Sequence, residues 1–161
     1  MNQNQDDWLL AIRRYFAVIA GGNLVWEFAQ FPLYTLWWEG TVGEIMFAGL
    51  HCTGGDILIA GATFFGSLLL LGTPRWPNER YIAVAALAML TGLAYTIFSE
   101  WLNTEIRGSW AYTEFMPTIP LIGAGLAPLT QWIVTPALAF WWAGRSPISA
   151  YDSSETEPDQ R

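Results

Sequence analysis

Four long apolar runs restrict this chain to few folds other than a set of membrane-spanning helices. They lie at residues 15–34, 45–72, 81–103 and 119–143. A helix crosses the roughly 30 Å hydrocarbon core of a bilayer in about 20 residues, and each run is at least that long. Only 13% of the 161 residues are charged, against about 25% in soluble domains. We therefore predict an all-α integral membrane protein, a bundle of four transmembrane helices within residues 15–143.

Arginine placement orients these helices. The chain has no lysine, and one set of connections holds Arg13, Arg14, Arg75, Arg80 and Arg145, while the other holds Arg107 alone. By the positive-inside rule, we expect both termini to be cytoplasmic and the protein to lie in a bacterial inner membrane. Residues 1–14 then form a polar and interfacial N-terminus, and residues 144–161 form a disordered acidic tail.

The first run carries acidic and amide side chains where a lipid-facing helix should have none. Asn23, Glu27 and Gln30 stand at i, i+4 and i+7, so on a helix they share one face. A carboxylate at this depth costs about 3 kcal/mol or more unless it faces a polar interior. The spacing predicts that this face points into the bundle, with Glu27 as a site carboxylate or as a hydrogen-bond partner of another helix.

The other three runs carry similar polar stripes. They are Cys52 with Asp56 and Thr63, Thr96 with Glu100 and Asn103, and Pro128 with Gln131 and Thr135. Such stripes avoid lipid only by meeting inside the bundle. At 1.5 Å of rise per residue, the ionisable groups gather in the outer half of the bilayer. The sequence therefore predicts an acidic pocket that opens outward, with aromatic side chains as its walls.

Two sets of residues are candidates for this pocket. The candidate catalytic residues are Glu27, Asp56 and Glu100, because carboxyl groups in a low-dielectric pocket can hold and transfer protons. The candidate ligand-binding residues are Asn23, Trp26, Gln30, His51, Trp101, Tyr112, Gln131 and Trp132. Acids beside aromatic faces suit protonation of an alkene. The predicted ligand is an apolar lipid or isoprenoid-like molecule, and isomerase or hydratase chemistry is the reaction that such a pocket allows.

Other interpretations of the same residues stay open. Asp56 follows two glycines and could instead cap a helix that restarts after a break. His51, Cys52 and Asp56 are weak candidates for metal ligands, because no short spacing such as CxxC or HxxxH occurs. The chain could also be a non-catalytic subunit of a larger membrane complex or, as a homo-oligomer, a proton-linked or metal transporter. The sequence indicates no particular cofactor and leaves catalysis undecided, and the lack of a basic patch argues against nucleic acid as a partner.

Several segments carry resemblances to known proteins. WEFAQFPLY, HCTGGD, SEWLNTEIRGSWAY and MPTIPLIGAGLAPLTQW resemble a group of small bacterial four-helix membrane proteins, a resemblance that implies no activity. The arrangement is also similar to the emopamil-binding (EXPERA) superfamily, on the segments GGNLVWEFAQF and YTIFSE. That resemblance implies a four-helix membrane fold with a cavity for sterol-like ligands. It would make Glu27, Asp56 and Glu100 pocket acids and Trp132 a wall.

Overall fold

The computed structural model describes residues 3–145, with side chains from Asp7 onward. That part of the chain contains no β-strand, and its backbone is mostly helical. The α-helices are α1 (Gln3–Gln30), α2 (Thr35–Glu39), α3 (Val42–Leu71), α4 (Tyr81–Trp101) and α5 (Leu126–Ala143). A 3-10 turn over Phe31–Leu33 follows α1, and a π-helical turn over Leu102–Ile106 follows α4. The all-α prediction is confirmed for the described residues.

The first two predicted runs differ from the observed helices at their starts. Helix α1 begins at Gln3, so most of residues 1–14 belong to the first helix rather than to a separate polar segment. Helix α3 begins at Val42 because Thr41 and Glu44 form a reciprocal capping box. It continues without a break through Gly54 and Gly55, so Asp56 is not a helix cap.

The last predicted run was wrong at its start. The helix begins at Leu126 and not at residue 119. Pro120 cannot donate a backbone hydrogen bond, and Gly123 adopts the left-handed conformation with φ of 66°, which no α-helix contains. The backbone instead closes a turn in which the Gly123 amide donates to the Ile119 carbonyl. Of the predicted tail, residues 146–161 lie outside the described residues.

The four long helices pack side by side around a common interior. Helix α1 packs against α3 and α5, and α4 packs against the same two helices. Chain direction alternates along this ring, so the C-terminal ends of α1 and α4 lie beside the N-terminal ends of α3 and α5. We call this the cavity end. The opposite end, which carries Arg14, Arg80 and Arg145, we call the arginine end.

The interior near the arginine end is an apolar core. Tyr15 of α1 stacks on Phe64 of α3, with ring centroids 4.6 Å apart, and contacts Phe140 of α5. Trp76, from the connection between α3 and α4, covers Phe64 and is almost fully buried. Buried polar side chains accumulate instead toward the cavity end. The interior is thus divided along its length into an apolar half and a polar half.

Two helical segments, Val42–Leu71 and Tyr81–Ile106, are long and apolar enough to cross a membrane, judged by length and composition. In a soluble protein such helices are buried in a core. Here only 17% and 28% of their most apolar windows are buried in the protein. Leu58 and Leu69 on α3 and Ile82 on α4 are each at least three-quarters exposed. These features indicate an association with membrane.

Candidate functional site

Gln131 joins the polar stripes of three helices. Its side-chain Nε2 lies 3.0 Å from Glu27 Oε1 and 3.2 Å from Asn23 Oδ1, both on α1. The same nitrogen lies 2.9 Å from Asp56 Oδ2 on α3. An amide nitrogen has two hydrogens, so three acceptors compete for two donors. The predicted meeting of these stripes is therefore present in the structure, in a network rich in acceptors.

Gln30 extends this network and leaves one acceptor free. Its Nε2 donates to Glu27 Oε1 at 3.1 Å and approaches Gln131 Oε1 at 3.4 Å. Because both partners are acceptors, the Gln30 amide is oriented with its nitrogen toward them. Its Oε1 is buried and has no hydrogen-bond partner in the described part of the chain. With Gln30 only 6% exposed, this oxygen is a buried acceptor that a bound donor could satisfy.

The Glu27 and Asp56 carboxyl groups lie near each other, because Gln131 Nε2 lies within 3.0 Å of an oxygen of each. Two carboxyl oxygens can hydrogen-bond only when one of them holds a proton. Neighbouring carboxyl groups can share one proton in this way, and here Gln131 Nε2 is a donor within reach of both. A shared proton in a buried site is a chemical resource for acid–base catalysis or for recognition of a ligand.

Glu100 of α4 takes a different partner. The Tyr112 hydroxyl donates to Glu100 Oε2, and the Gly125 amide donates to the Tyr112 oxygen at 3.0 Å. Burial, together with the hydrogen bond to Glu100, raises the pKa of Tyr112 above its usual value, so this phenol remains a donor at physiological pH. The segment between α4 and α5 is thereby fastened to the end of α4 and to the start of α5.

A cavity of about 440 Å³ lies among these groups, within the size range of small-molecule sites. We call it the carboxyl cavity. Its lining includes the carboxyl groups of Glu27, Asp56 and Glu100, and no arginine or lysine is among the described residues that surround it. The remaining polar and aromatic lining includes Gln30, Tyr34, His51, Cys52, Tyr95, Ser99, Asn103, Trp110, Gln131 and Trp132.

The carboxyl cavity opens on the side where α3 and α4 face each other. Its lining residues on α1 and α5, among them Glu27 and Gln131, are buried. Apart from Ser109 in the connection between α4 and α5, the exposed members of the lining are on the other two helices, with Phe47 69% and Tyr95 47% exposed. His51, one turn from Phe47, is also exposed and stacks on its ring. The opening thus lies on the flank of the helix ring, next to its most apolar surfaces.

The structure places most of the sequence-predicted site residues at this cavity. Glu27, Asp56, Glu100, Gln30, His51, Gln131 and Trp132 line it. Asn23 and Tyr112 stand behind the lining, since they hydrogen-bond to Gln131 and Glu100 respectively.

Two predicted wall residues do not belong to the lining. Trp101 is 42% exposed, and Trp26 is only half-buried. Each is adjacent in sequence to a buried carboxylate, and neighbours on a helix point about 100° apart. A tryptophan next to Glu100 or Glu27 therefore turns away from the face that its neighbour occupies.

Sequence reasoning missed several lining residues, chiefly Tyr34, Phe47 and Tyr95. Tyr34 follows a 3-10 turn, where helical periodicity gives no face. For Tyr95 and Phe47, the spacing to other polar residues in the sequence could have indicated a place in the lining. Tyr95 lies next to Thr96 and four residues before Ser99, and Phe47 lies four residues before His51.

No metal-binding cluster of three or more His, Cys, Asp or Glu side chains occurs within residues 7–145. No family model, curated protein or solved structure matches the chain.

Proposed function

We propose that this protein is an integral membrane protein with four spans that binds an apolar molecule, a lipid or isoprenoid-like compound, in the carboxyl cavity. The observation that carries the proposal is the joining of three polar stripes by Gln131 at the wall of a cavity that opens on an apolar flank. Buried polar groups in a membrane are costly, and a ligand site accounts for their concentration at one end.

Packing supports the four-span arrangement. Helices α3 and α4 each have the length and composition of a span, and α1 and α5 pack alongside them. Helix α5 exposes Ile133, Leu138 and Trp141, which lipid would cover. The arginine end would face the cytoplasm, with both termini on that side, as the positive-inside rule requires.

The polar groups of the lining indicate which functional group the ligand should have. Gln30 Oε1 is an unsatisfied buried acceptor, and the Glu27–Asp56 pair adds further acceptor oxygens. A molecule with one hydrogen-bond donor, such as a hydroxyl group, would satisfy Gln30, while Trp132 and Phe31 would contact its apolar part. An apolar molecule in the bilayer would approach between Phe47 and Tyr95.

The Glu27–Asp56 pair also has the means for acid-catalysed chemistry. One carboxyl group could protonate a carbon–carbon double bond while the other removes a proton from the neighbouring carbon, which moves the double bond and conserves atoms and charge. Trp132 and Trp110 line the same cavity and would stabilise the intermediate cation. Binding has to be established before turnover is tested.

Adjacent glycines on α3 provide a matched test of binding. Gly55 lines the carboxyl cavity, whereas Gly54 is exposed on the outer surface, and a Cβ on either one meets no atom within 4 Å. The Gly55→Phe side chain would fill the cavity, and the Gly54→Phe side chain would point toward lipid.

The experiment is native mass spectrometry with lipidomics on gently purified protein. We expect wild type and Gly54→Phe to retain the same discrete apolar molecule, and Gly55→Phe to lose it. If all three proteins carry only bulk phospholipid and arrive with one stoichiometric protein partner, the ligand proposal fails. The protein would then be a subunit of a larger membrane complex.

A further inference from the structure

The arginine end holds a second cavity that the proposed function does not use. It has a volume of about 220 Å³ and lies between the first turns of α1, the connection between α3 and α4, and the C-terminal end of α5. Arg14 and Arg145 line it together with Asp7 and Asn78. We call it the arginine cavity. It lies at the opposite end of the molecule from Glu27, Asp56 and Glu100.

Among the described side chains, neither guanidinium in the arginine cavity has an acidic partner within ion-pair distance. The only ion pair within residues 7–145 joins Arg75 to Glu79. Arg14 instead donates to the main-chain carbonyl of Arg145, which holds one side of the cavity in place. Two arginines that line one cavity and form no ion pair in the described part of the chain are an arrangement suited to an anion.

The surroundings of the two arginines are those of a membrane interface. The Arg145 Cζ atom lies 3.6 Å from the centroid of the Trp141 ring, and the Arg14 Cζ atom lies 5.9 Å from that of Trp142. Both tryptophans are exposed, as is Leu138 one turn before Trp142. Tryptophan is enriched at the level of lipid headgroups, and exposed apolar side chains beside it would contact acyl chains.

We propose that the arginine cavity binds the headgroup of an anionic glycerophospholipid of the phosphatidylglycerol type. Arg14 and Arg145 would bind the phosphodiester, because guanidinium groups form paired hydrogen bonds with phosphate oxygens. The Asp7 carboxylate and the Asn78 amide would accept hydrogen bonds from the headgroup hydroxyls. Basic pockets between helices on the cytoplasmic side are suited to anionic headgroups.

The Asp7 carboxylate favours a phosphodiester headgroup over a phosphomonoester. Its carboxylate lines the same cavity as the two arginines, and it would repel the second negative charge of a phosphomonoester. A diester with hydroxyl groups meets no such repulsion and supplies donors to the carboxylate. We therefore expect preference for phosphatidylglycerol over phosphatidic acid, and loss of that preference in Asp7→Asn.

Arg13 provides a matched control for the two arginines. It is adjacent to Arg14 on α1, carries the same charge and is exposed outside the cavity. Arg13→Gln and Arg14→Gln thus remove equal charge from the same end of the molecule. Arg145→Gln is a second test that leaves intact the main-chain carbonyl to which Arg14 donates.

The experiment titrates delipidated full-length protein with defined lipids and follows bound lipid by native mass spectrometry. We expect phosphatidylglycerol to bind more tightly than phosphatidylcholine, with affinity about tenfold weaker in Arg14→Gln and Arg145→Gln, as for loss of a charged hydrogen bond, and unchanged in Arg13→Gln. Equal weakening in all three variants would show diffuse electrostatic attraction and overturn the proposal. Equal competition by millimolar inorganic phosphate would also overturn it, because the cavity would then bind phosphate rather than lipid.

This inference rests on the proposed membrane orientation but not on a ligand in the carboxyl cavity. Arg14→Gln should leave the apolar ligand retained by wild type in place, and Gly55→Phe should leave phosphatidylglycerol binding unchanged. The two proposals can therefore fail separately.

Discussion

At the scale of single residues, the side chain with the most consequences is Gln131, which donates to acceptors on two other helices. Gln131→Leu keeps the approximate volume and removes three hydrogen bonds: the two that its amide hydrogens can donate among the three acceptors, and the one that its Oε1 accepts from Gln30. At about 0.6 kcal/mol for each interhelical bond in a membrane protein, we expect a loss near 2 kcal/mol in the free energy of unfolding. Reversible unfolding in mixed micelles measures it.

The control for this change is the preceding residue. Thr130 is exposed and bonds only to the Leu126 carbonyl of its own helix. Thr130→Val should change stability by less than about 0.5 kcal/mol. If the two variants lost equal free energy of unfolding, the interhelical hydrogen bonds of Gln131 would make no specific contribution to stability.

A second prediction at this scale concerns the Tyr112 hydroxyl. Tyr112→Phe removes the donor to Glu100 and the acceptor for the Gly125 amide, both in a half-buried position. We expect a cost of about 1–3 kcal/mol and faster hydrogen exchange at the Gly125 amide. Both effects come from one lost oxygen atom.

Tyr95→Phe is the matched control for Tyr112→Phe. Tyr95 is 47% exposed on the rim of the carboxyl cavity, so water or lipid surrounds its hydroxyl. Its loss should leave stability and exchange at Gly125 near the wild-type values. Unchanged exchange in Tyr112→Phe as well would show that the loop is held by other contacts.

At the scale of the helices, the approach of α4 to α5 depends on Gly92. A Cβ on Gly92 would lie 2.6 Å from the Trp132 ring, so the ring packs directly on the α4 backbone. Gly92→Ala should force α5 or the ring to move and cost about 1–3 kcal/mol, as overpacked cores do. The shift would also reach the carboxyl cavity, because Trp132 lines it.

Gly66 on α3 supplies the opposite case. A Cβ at Gly66 meets no atom within 4 Å, so Gly66→Ala should only add helix propensity and stabilise by up to about 1 kcal/mol. Thermal unfolding of the two variants side by side tests the sign. Stabilisation by Gly92→Ala would contradict the close contact with Trp132.

At the scale of the whole molecule, the proposed orientation places the two ends on opposite sides of the membrane. In a background with Cys52→Ala, Asn78→Cys reports on the α3–α4 connection and Glu114→Cys on the α4–α5 connection. Both positions are exposed. We expect an impermeant maleimide to label Glu114→Cys in intact spheroplasts and Asn78→Cys only after lysis. Labelling of both from one side would refute a membrane-spanning α4.

The positions of the long helices, and the face that each polar residue occupies on its helix, could largely be predicted from the sequence, because both depend on short-range periodicity. The spacing of Asn23, Glu27 and Gln30 placed them on one face of α1, and all three are buried. The same reasoning paired Gln131 with Thr135 on α5. The four apolar runs likewise predicted the long helices. Their predicted ends differ from the observed ends where a capping group or a proline determines the boundary.

Only the tertiary structure decided which atoms meet. Periodicity fixes a side chain's direction on its own helix but not the rotation of one helix against another, so the Gln131 donations to Glu27 and Asp56 required packing of three helices. Tyr112 and Tyr34 belong to segments without a repeat, and their positions depend on contacts distant in sequence. The two arginines of the second cavity are 131 residues apart, and no local pattern relates them.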